Sequence, residues 1–343
     1  MTLTVAILSF AHPHVHGYAA YLTSHEGIRV IGTDTGIPDP GTLRGADLAD
    51  QLGITYFPDV ASVLAEAPDA VVICSENAAH RELTEQALAA GAHVLCEKPL
   101  ATTDEDAAAM ISAAGRAGRI LMTAYPVRFS PVFADLVARH RAGQLGQILS
   151  IHGTNNGKMP RPGERSWFTD PARSGGGALM DHVVHVADLL DELLGETAAD
   201  VHAAANQIMH ADAGVETGGV VSVRYPSGVI AQIDCSWSLP DSAPTWGGLT
   251  LEVQGTRGSI RIDPFAGHVA GYDADGAMWQ PYGADLDARM IAAFLTAVRT
   301  GTQPQPDGAV GARTLAIVTA AQRSVASGRP EAVLPTPAPP ARS

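Results

Sequence analysis

Residues 4–18 read TVAILSFAHPHVHGY. An apolar run of strand length ends in a turn and gives way to a helical pattern from His14 to Ser24. A strand that feeds a helix through a short turn is how a doubly wound sheet begins. That turn is also where such a sheet receives a ligand. Here it carries His12 and His14, with His16 just beyond, and residues 9–14 hold no glycine.

The same rhythm continues outward. IRVIGTD (28–34), AVVICS (70–75), AHVLCE (92–97) and RILMTAY (119–125) are short apolar runs, and the last three are separated by the helical patterns AHRELTEQALAAG and DEDAAAMISAAGRAG. Val- and Ile-rich runs alternating with amphipathic helices predict parallel strands buried on both faces. Gly91 and Gly118 stand where those helices must stop.

Beyond about residue 130 the pattern changes. A helix over 131–142 leads into GQILSIHGTNN, a loop rich in Gly, Pro and Arg (157–178), and the helix ALMDHVVHVADLLDELLG. Strand-like segments then follow one another near 199–210, 218–225, 228–238, 248–255 and 258–263, which predicts a largely antiparallel sheet. Two helices, near 285–300 and 308–327, close the pattern. The fold class is therefore α/β: a Rossmann-type doubly wound parallel sheet over 1–125, then an α+β domain with an open, largely antiparallel sheet over 126–330. The last helices are expected to pack back on the first domain, and PTPAPPARS ends a flexible tail over 331–343.

The chain has 343 residues and a formal net charge of -14, with its basic residues scattered. That balance argues against nucleic acid and anionic membrane surfaces, which need a positive footprint. No apolar run approaches the roughly 18 residues of a membrane span. The opening MTLTVAILSF lacks a basic flank and a cleavage site, so it reads as a strand rather than a signal peptide. Cys74, Cys96 and Cys235 form no C-x-x-C pair and read as reduced thiols of a cytoplasmic protein.

Ligands of a doubly wound sheet bind beyond the carboxyl ends of its strands. Four stretches lie there: Ser9–His16, Asp34–Gly36, Ser75–His80 and Cys96–Pro99. Asp34 stands about 20 residues past the first turn, where a carboxylate accepts hydrogen bonds from an adenosine ribose. It would repel a 2′-phosphate, and no arginine follows, so NAD is expected ahead of NADP; an ordinary turn aspartate is the competing reading. Lys98, in CEKPL, places an ammonium at the end of a buried strand, where its neighbours can tune it. Asp181, His185 and Asp188 fall at i, i+4 and i+7 on one helical face, with His182 offset. A carboxylate beside an imidazole suits proton transfer, although the same spacing could chelate a metal or be a plain polar stripe. The glycines of SGGGA before this helix would let a ligand approach the backbone closely.

Together these stretches resemble the GFO/IDH/MocA family (glucose–fructose oxidoreductase, inositol dehydrogenase and relatives). AGAHVLCEKPLATT at 90–103 is similar to its EKP motif, and SENAAHRELTEQAL to the segment before it. RFSPVF and GQLGQI resemble the entry into its second domain, and GGGALMDHVVHVADLL its D-x-G-x-H-x-x-D pattern. The resemblance covers roughly 1–330. It implies an NAD(P)-dependent oxidoreductase acting on a sugar, glycoside, cyclitol or sugar acid, assembled as a homodimer or homotetramer through the second sheet. It implies Lys98, His185 and Asp181 as catalytic residues: His185 the general base in oxidation, Lys98 beside nicotinamide and the reacting hydroxyl, Asp181 binding substrate and orienting His185. It implies Ser9, Phe10, Ala11, His12, His14, Asp34, Ser75, Glu76, Asn77, His80, Glu97 and Lys98 around the dinucleotide. Tyr125, Arg128, Asn155, Asn156, Arg165, Trp167 and His182 would line the substrate cleft.

The chain departs from the family pattern in three places. Val183 replaces a glycine, Glu76 stands where proline is common, and Ser9, Ala11 and His14 occupy the three glycine positions of G-x-G-x-x-G. Two other readings compete. H-x-H after a first strand also opens the metal sites of amidohydrolase-type barrels, but this chain turns antiparallel after its first half and offers no later ligand set, so no metal is expected. A non-catalytic or redox-neutral relative is the other, because a turn without glycine could block the pyrophosphate. That reading includes transient oxidation leading to elimination or epimerisation.

Overall fold

The computed structural model describes residues 2–36, 38, 39, 42–161, 166–273 and 276–335. The first sheet contains β1 (Leu3–Leu8), β2 (Ile28–Thr33), β3 (Thr55–Tyr56), β4 (Ala70–Ile73), β5 (His93–Cys96) and β6 (Leu121–Thr123). Its order is β3-β2-β1-β4-β5-β6 with every pair parallel, the Rossmann arrangement. The order reverses between β1 and β4, so a crevice opens beyond their ends. Every residue of β4 is buried, as expected of a strand covered by helices on both faces.

The helices α1 (Val15–Thr23), α2 (Gly45–Leu52), α3 (Val60–Ala65), α4 (His80–Ala89) and α5 (Asp104–Ala117) cover this sheet. Local chemistry sets their ends. Thr103 accepts the Asp106 N–H ahead of three acidic residues in the first turn of α5, and Gly118 ends that helix at φ +62°. α1 begins one residue later than its sequence pattern, with His14 as its N-cap. His12 therefore lies in the turn ahead of the helix.

After α6 (Pro131–Arg141) the second sheet begins with β7 (Ile148–Lys158). A short α7 (Pro171–Ser174), a π-wound turn (Leu179–Val183) and α8 (Val184–Leu194) precede β8 (Asp200–Asn206), β9 (Gly218–Arg224), β10 (Ile230–Leu239), β11 (Gly247–Gly255) and β12 (Gly258–Ile262). The sheet is mixed: β10 runs parallel to β7, and its other pairs are antiparallel. A separate hairpin, β13 (His268–Asp273) with β14 (Gly276–Pro281), was not foreseen, because its Gly- and Ala-rich strands show no clear alternation.

α9 (Leu286–Thr300) and α10 (Gly308–Ser327) return toward the first domain. Met290, Ile291, Phe294 and Leu295 of α9 enter the same apolar cluster as Val5, Ile7 and Tyr18. Fully burying each such side chain is worth about 1.5–3 kcal/mol, so α9 is part of the first domain's core. The expected tail begins instead as a strand, β15 (Glu331–Ala332), paired with β8; residues 336–343 lie outside the described residues. No described helix is long and apolar enough to cross a membrane.

Candidate active site

β5 and the helix at 179–194 meet over a cavity of about 630 Å³. Lys98, one residue past the buried end of β5, points its ammonium at the helix. Its Nζ lies 2.6 Å from Asp181 Oδ1 and 3.2 Å from the Asp181 carbonyl. The other carboxylate oxygen accepts the Trp237 indole N–H and faces His182 Nε2, both at 3.0 Å. Burial alone would raise the Asp181 carboxyl, but Lys98 and His182 outweigh it and hold it well below the usual range. His182 donates from Nδ1 to the Asn155 carbonyl at 2.6 Å.

His185 lines the same cavity, and its buried Nδ1 has no partner. Burial first, then the Lys98 charge, pushes its imidazole well below the ordinary histidine value and keeps it neutral. Asp181 bonds to Lys98, Trp237 and His182 rather than to His185. Residues 179–183 are π-wound, which rotates Asp181 off the i, i+4 line that an ordinary helix would give. The glycines before the helix also serve differently from the sequence reading. A Cβ on Gly177 would stand 2.0 Å from the Glu216 carbonyl, so the close approach is made by protein, not by a ligand.

Several cleft residues sit apart from this cavity. Arg128 forms ion pairs with Asp188 and Glu192, so Asp188 also leaves the imidazole face. The Tyr125 hydroxyl bonds to Thr314 at 2.6 Å. Asn155 and Asn156 do line the cavity, and Arg165 lies outside the described residues. Sequence reasoning missed the aromatic wall: Phe168, Trp246, Phe265, Trp279 and Tyr282. Most of these come from the unforeseen hairpin and its flanks, so no motif announced them.

The glycine-free turn keeps a glycine's conformation. Ser9 has φ +69°, which costs a non-glycine residue about 1–2 kcal/mol. Its hydroxyl donates to the Thr35 carbonyl and accepts the Ala11 N–H, which offsets that strain. His14, at the third glycine position, points at Glu97, with Nδ1 2.9 Å from Oε1, and the Tyr18 hydroxyl donates to the same oxygen at 2.6 Å. Ser75 is buried at the end of β4, its hydroxyl donating to the Glu76 carbonyl. His80 is fully buried beneath the Lys98–Pro99 loop, donating from Nδ1 to the Pro99 carbonyl at 2.9 Å.

Asp34 accepts the Phe10 and Gly45 N–H groups, each at 2.8 Å. Arg44, ten residues further on, pairs with it, Nε to Oδ2 at 2.6 Å. An arginine therefore does pair with Asp34, brought there by the start of α2, and the argument for NAD over NADP falls. A segment at 166–174 crosses the same edge of the sheet. The Trp167 indole donates to the Ala11 carbonyl at 3.3 Å, the Ser166 N–H to Asp39 at 2.8 Å, Arg173 to Glu76 at 2.9 Å and the Asn77 amide to the Ser174 carbonyl at 2.8 Å.

Comparison with known proteins decides the lineage. Residues 16–125 match the oxidoreductase family described as having an NAD-binding Rossmann fold, and residues 133–261 match the GFO/IDH/MocA C-terminal domain. The 1,5-anhydro-D-fructose reductase of Ensifer adhaerens is 32% identical over 83% of this chain and 86% of its own. The chain belongs to the GFO/IDH/MocA oxidoreductase family. Within it, the D-xylose 1-dehydrogenase (NADP(+)) 2 of Haloferax volcanii is 28% identical over 90% of this chain and 93% of its own. The crystal structure of GenD2 from gentamicin A biosynthesis, in complex with NAD, superposes with a TM-score of 0.84 at 26% identity, covering 97% of this chain and 96% of that one.

The groove residues of this GFO/IDH/MocA member fit a dinucleotide. Ser9 supplies the left-handed turn, and Asn77 Oδ1 is a buried acceptor without a partner. The 166–174 segment packs over that groove, where Ser9, Ala11 and Asn77 are no more than 7% exposed.

Proposed function

We propose that the protein is a nicotinamide-dependent oxidoreductase that interconverts a hydroxyl and a carbonyl on a sugar, glycoside, cyclitol or sugar acid. The observation that carries this reading is the convergence of Lys98, Asp181 and His185 on one aromatic-walled cavity. Bound nicotinamide would supply the hydride acceptor or donor. Ser9–His12, His14, Asp34, Ser75–Asn77 and Lys98 would hold it.

The protein's own groups handle the proton. Oxidation of a carbinol carbon requires loss of the hydroxyl proton, and a neutral His185 can take it. Lys98 has three N–H bonds, of which Asp181 takes two; the third is left for the substrate oxygen, where an ammonium stabilises developing alkoxide. Flat aromatic faces suit the C–H faces of a sugar ring, while Asn155 and Asn156 offer polar contacts. The outer face of the second sheet exposes Leu149, Val220 and Ile230, which supports self-association there.

A screen over sugars, glycosides, cyclitols and sugar acids, following reduced nicotinamide, tests the reading. Turnover with one of these classes is expected. Calorimetry with NAD(H) and NADP(H) that shows no binding at millimolar concentration would overturn it.

A further inference from the structure

His12, His14 and Glu97 come from three parts of the fold: the first turn, the N-cap of α1 and the end of β5. Each offers one ligand atom, and these atoms lie within 4.8 Å of one another. His14 Nδ1 is 2.9 Å and His12 Nδ1 3.5 Å from the same Glu97 oxygen. Donors on a tetrahedral ion with bonds of about 2.0–2.1 Å stand roughly 3.3 Å apart, so the cluster has the spacing of a coordination shell.

The surroundings agree. His12 and Glu97 are buried, while the His14 side chain is 31% exposed on the cavity side. Tyr18 and the Lys98 N–H hold the two Glu97 oxygens, which fixes the carboxylate in the way outer partners orient metal ligands. Two imidazoles and one carboxylate are a donor set typical of zinc sites that keep a position open. His12 and His14 line the same cavity as Lys98, Asp181 and His185.

We propose that His12, His14 and Glu97 bind one divalent transition-metal ion of the zinc class, with its open position facing the substrate cavity. The ion would polarise a substrate hydroxyl or carbonyl oxygen opposite the Lys98 ammonium, adding a Lewis acid to the proton chemistry of His185. The sequence reading missed this set because Glu97 is distant in the chain and H-x-H alone supplies only two ligands. His12 and His14 are also residues that the proposed function sets beside the cofactor, so metal and dinucleotide binding are titrated separately.

The test uses the full chain. Purified protein is analysed for metal content, stripped with a chelator and titrated with Co²⁺ and Zn²⁺. The expected result is one ion per chain and a visible Co²⁺ absorption of a tetrahedral site, without thiolate bands because no cysteine belongs to the ligand set. His14→Gln, at a partly exposed position, should weaken Co²⁺ binding by at least roughly tenfold, and Glu97→Gln likewise, because each removes a ligand. His16→Ala, on the exposed face of α1, should leave it unchanged. Absence of the absorption band in folded wild-type protein overturns the proposal even if a variant fails to fold, and so does wild-type affinity in His14→Gln. NAD(H) titration of the stripped sample is read separately, so a failure of the cofactor reading is distinguishable from a failure of the metal site.

Discussion

Lys98 and Asp181 form a buried salt bridge of 2.6 Å, with their side chains 5% and 8% exposed. Removing one partner leaves an uncompensated charge in the interior, which typically costs about 3–5 kcal/mol. Lys98→Met should therefore lose stability as well as turnover in denaturant and activity measurements. Lys98→Met/Asp181→Asn should regain most of the stability and none of the turnover. Recovery of both would remove Lys98 from the chemistry.

The depressed His185 imidazole makes a pH prediction. In the unfolded chain the group titrates near its ordinary value, about 6.5. The folded state resists that proton, so its stability falls as pH drops from the unfolded value toward the lower folded one. His185→Asn should flatten that acid decline and lower turnover by about 10²–10⁴-fold. The acid limb of the wild-type oxidation profile should lie below the ordinary histidine range. A limb centred near neutrality would point to another base.

Asp34 and Arg44 are paired at the end of β2, and the proposed function makes that pair the selector of the cofactor. Asp34→Ser should release the guanidinium toward a 2′-phosphate and raise the NADP(H)-to-NAD(H) affinity ratio, whereas Arg44→Ala should lower it. Fluorescence titration with both cofactors reads the ratio, and an unchanged ratio in both variants would place the ribose elsewhere.

Arg173 ties the segment over the groove to Glu76. Arg173→Ala should speed and tighten dinucleotide binding in stopped-flow measurements, because a covering contact is lost. Weaker binding would mean that Arg173 itself holds the cofactor.

Arg128 belongs to the frame rather than the cavity. Arg128→Met should cost about 3–5 kcal/mol by stranding buried Asp188, while KM of the folded protein stays near the wild-type value.

The strand-and-helix alternation, the second run of strands and the positions of Lys98, Asp181 and His185 were legible in the chain, because each is a local matter of apolar period, cap or motif. Asp34 was legible as the acid that ends the second strand, but Arg44 was not legible as its partner. Nothing in the spacing of residues 34 and 44 shows that the start of α2 turns back onto the end of β2. The π-wound turn, which sends Asp181 to Lys98 and Trp237 instead of His185, likewise has no period to announce it.

By itself, then, the sequence determined which residues the first turn contains and that a doubly wound sheet surrounds it. Only the tertiary structure decided what those residues do. It holds Ser9 at a positive φ through hydroxyl contacts, swings His14 onto Glu97 83 residues away and lays Trp167 over Ala11. The reason is physical: hydrophobic period and capping act over a few residues, whereas the partner of a buried imidazole or carboxylate is chosen by which strand ends the core brings together.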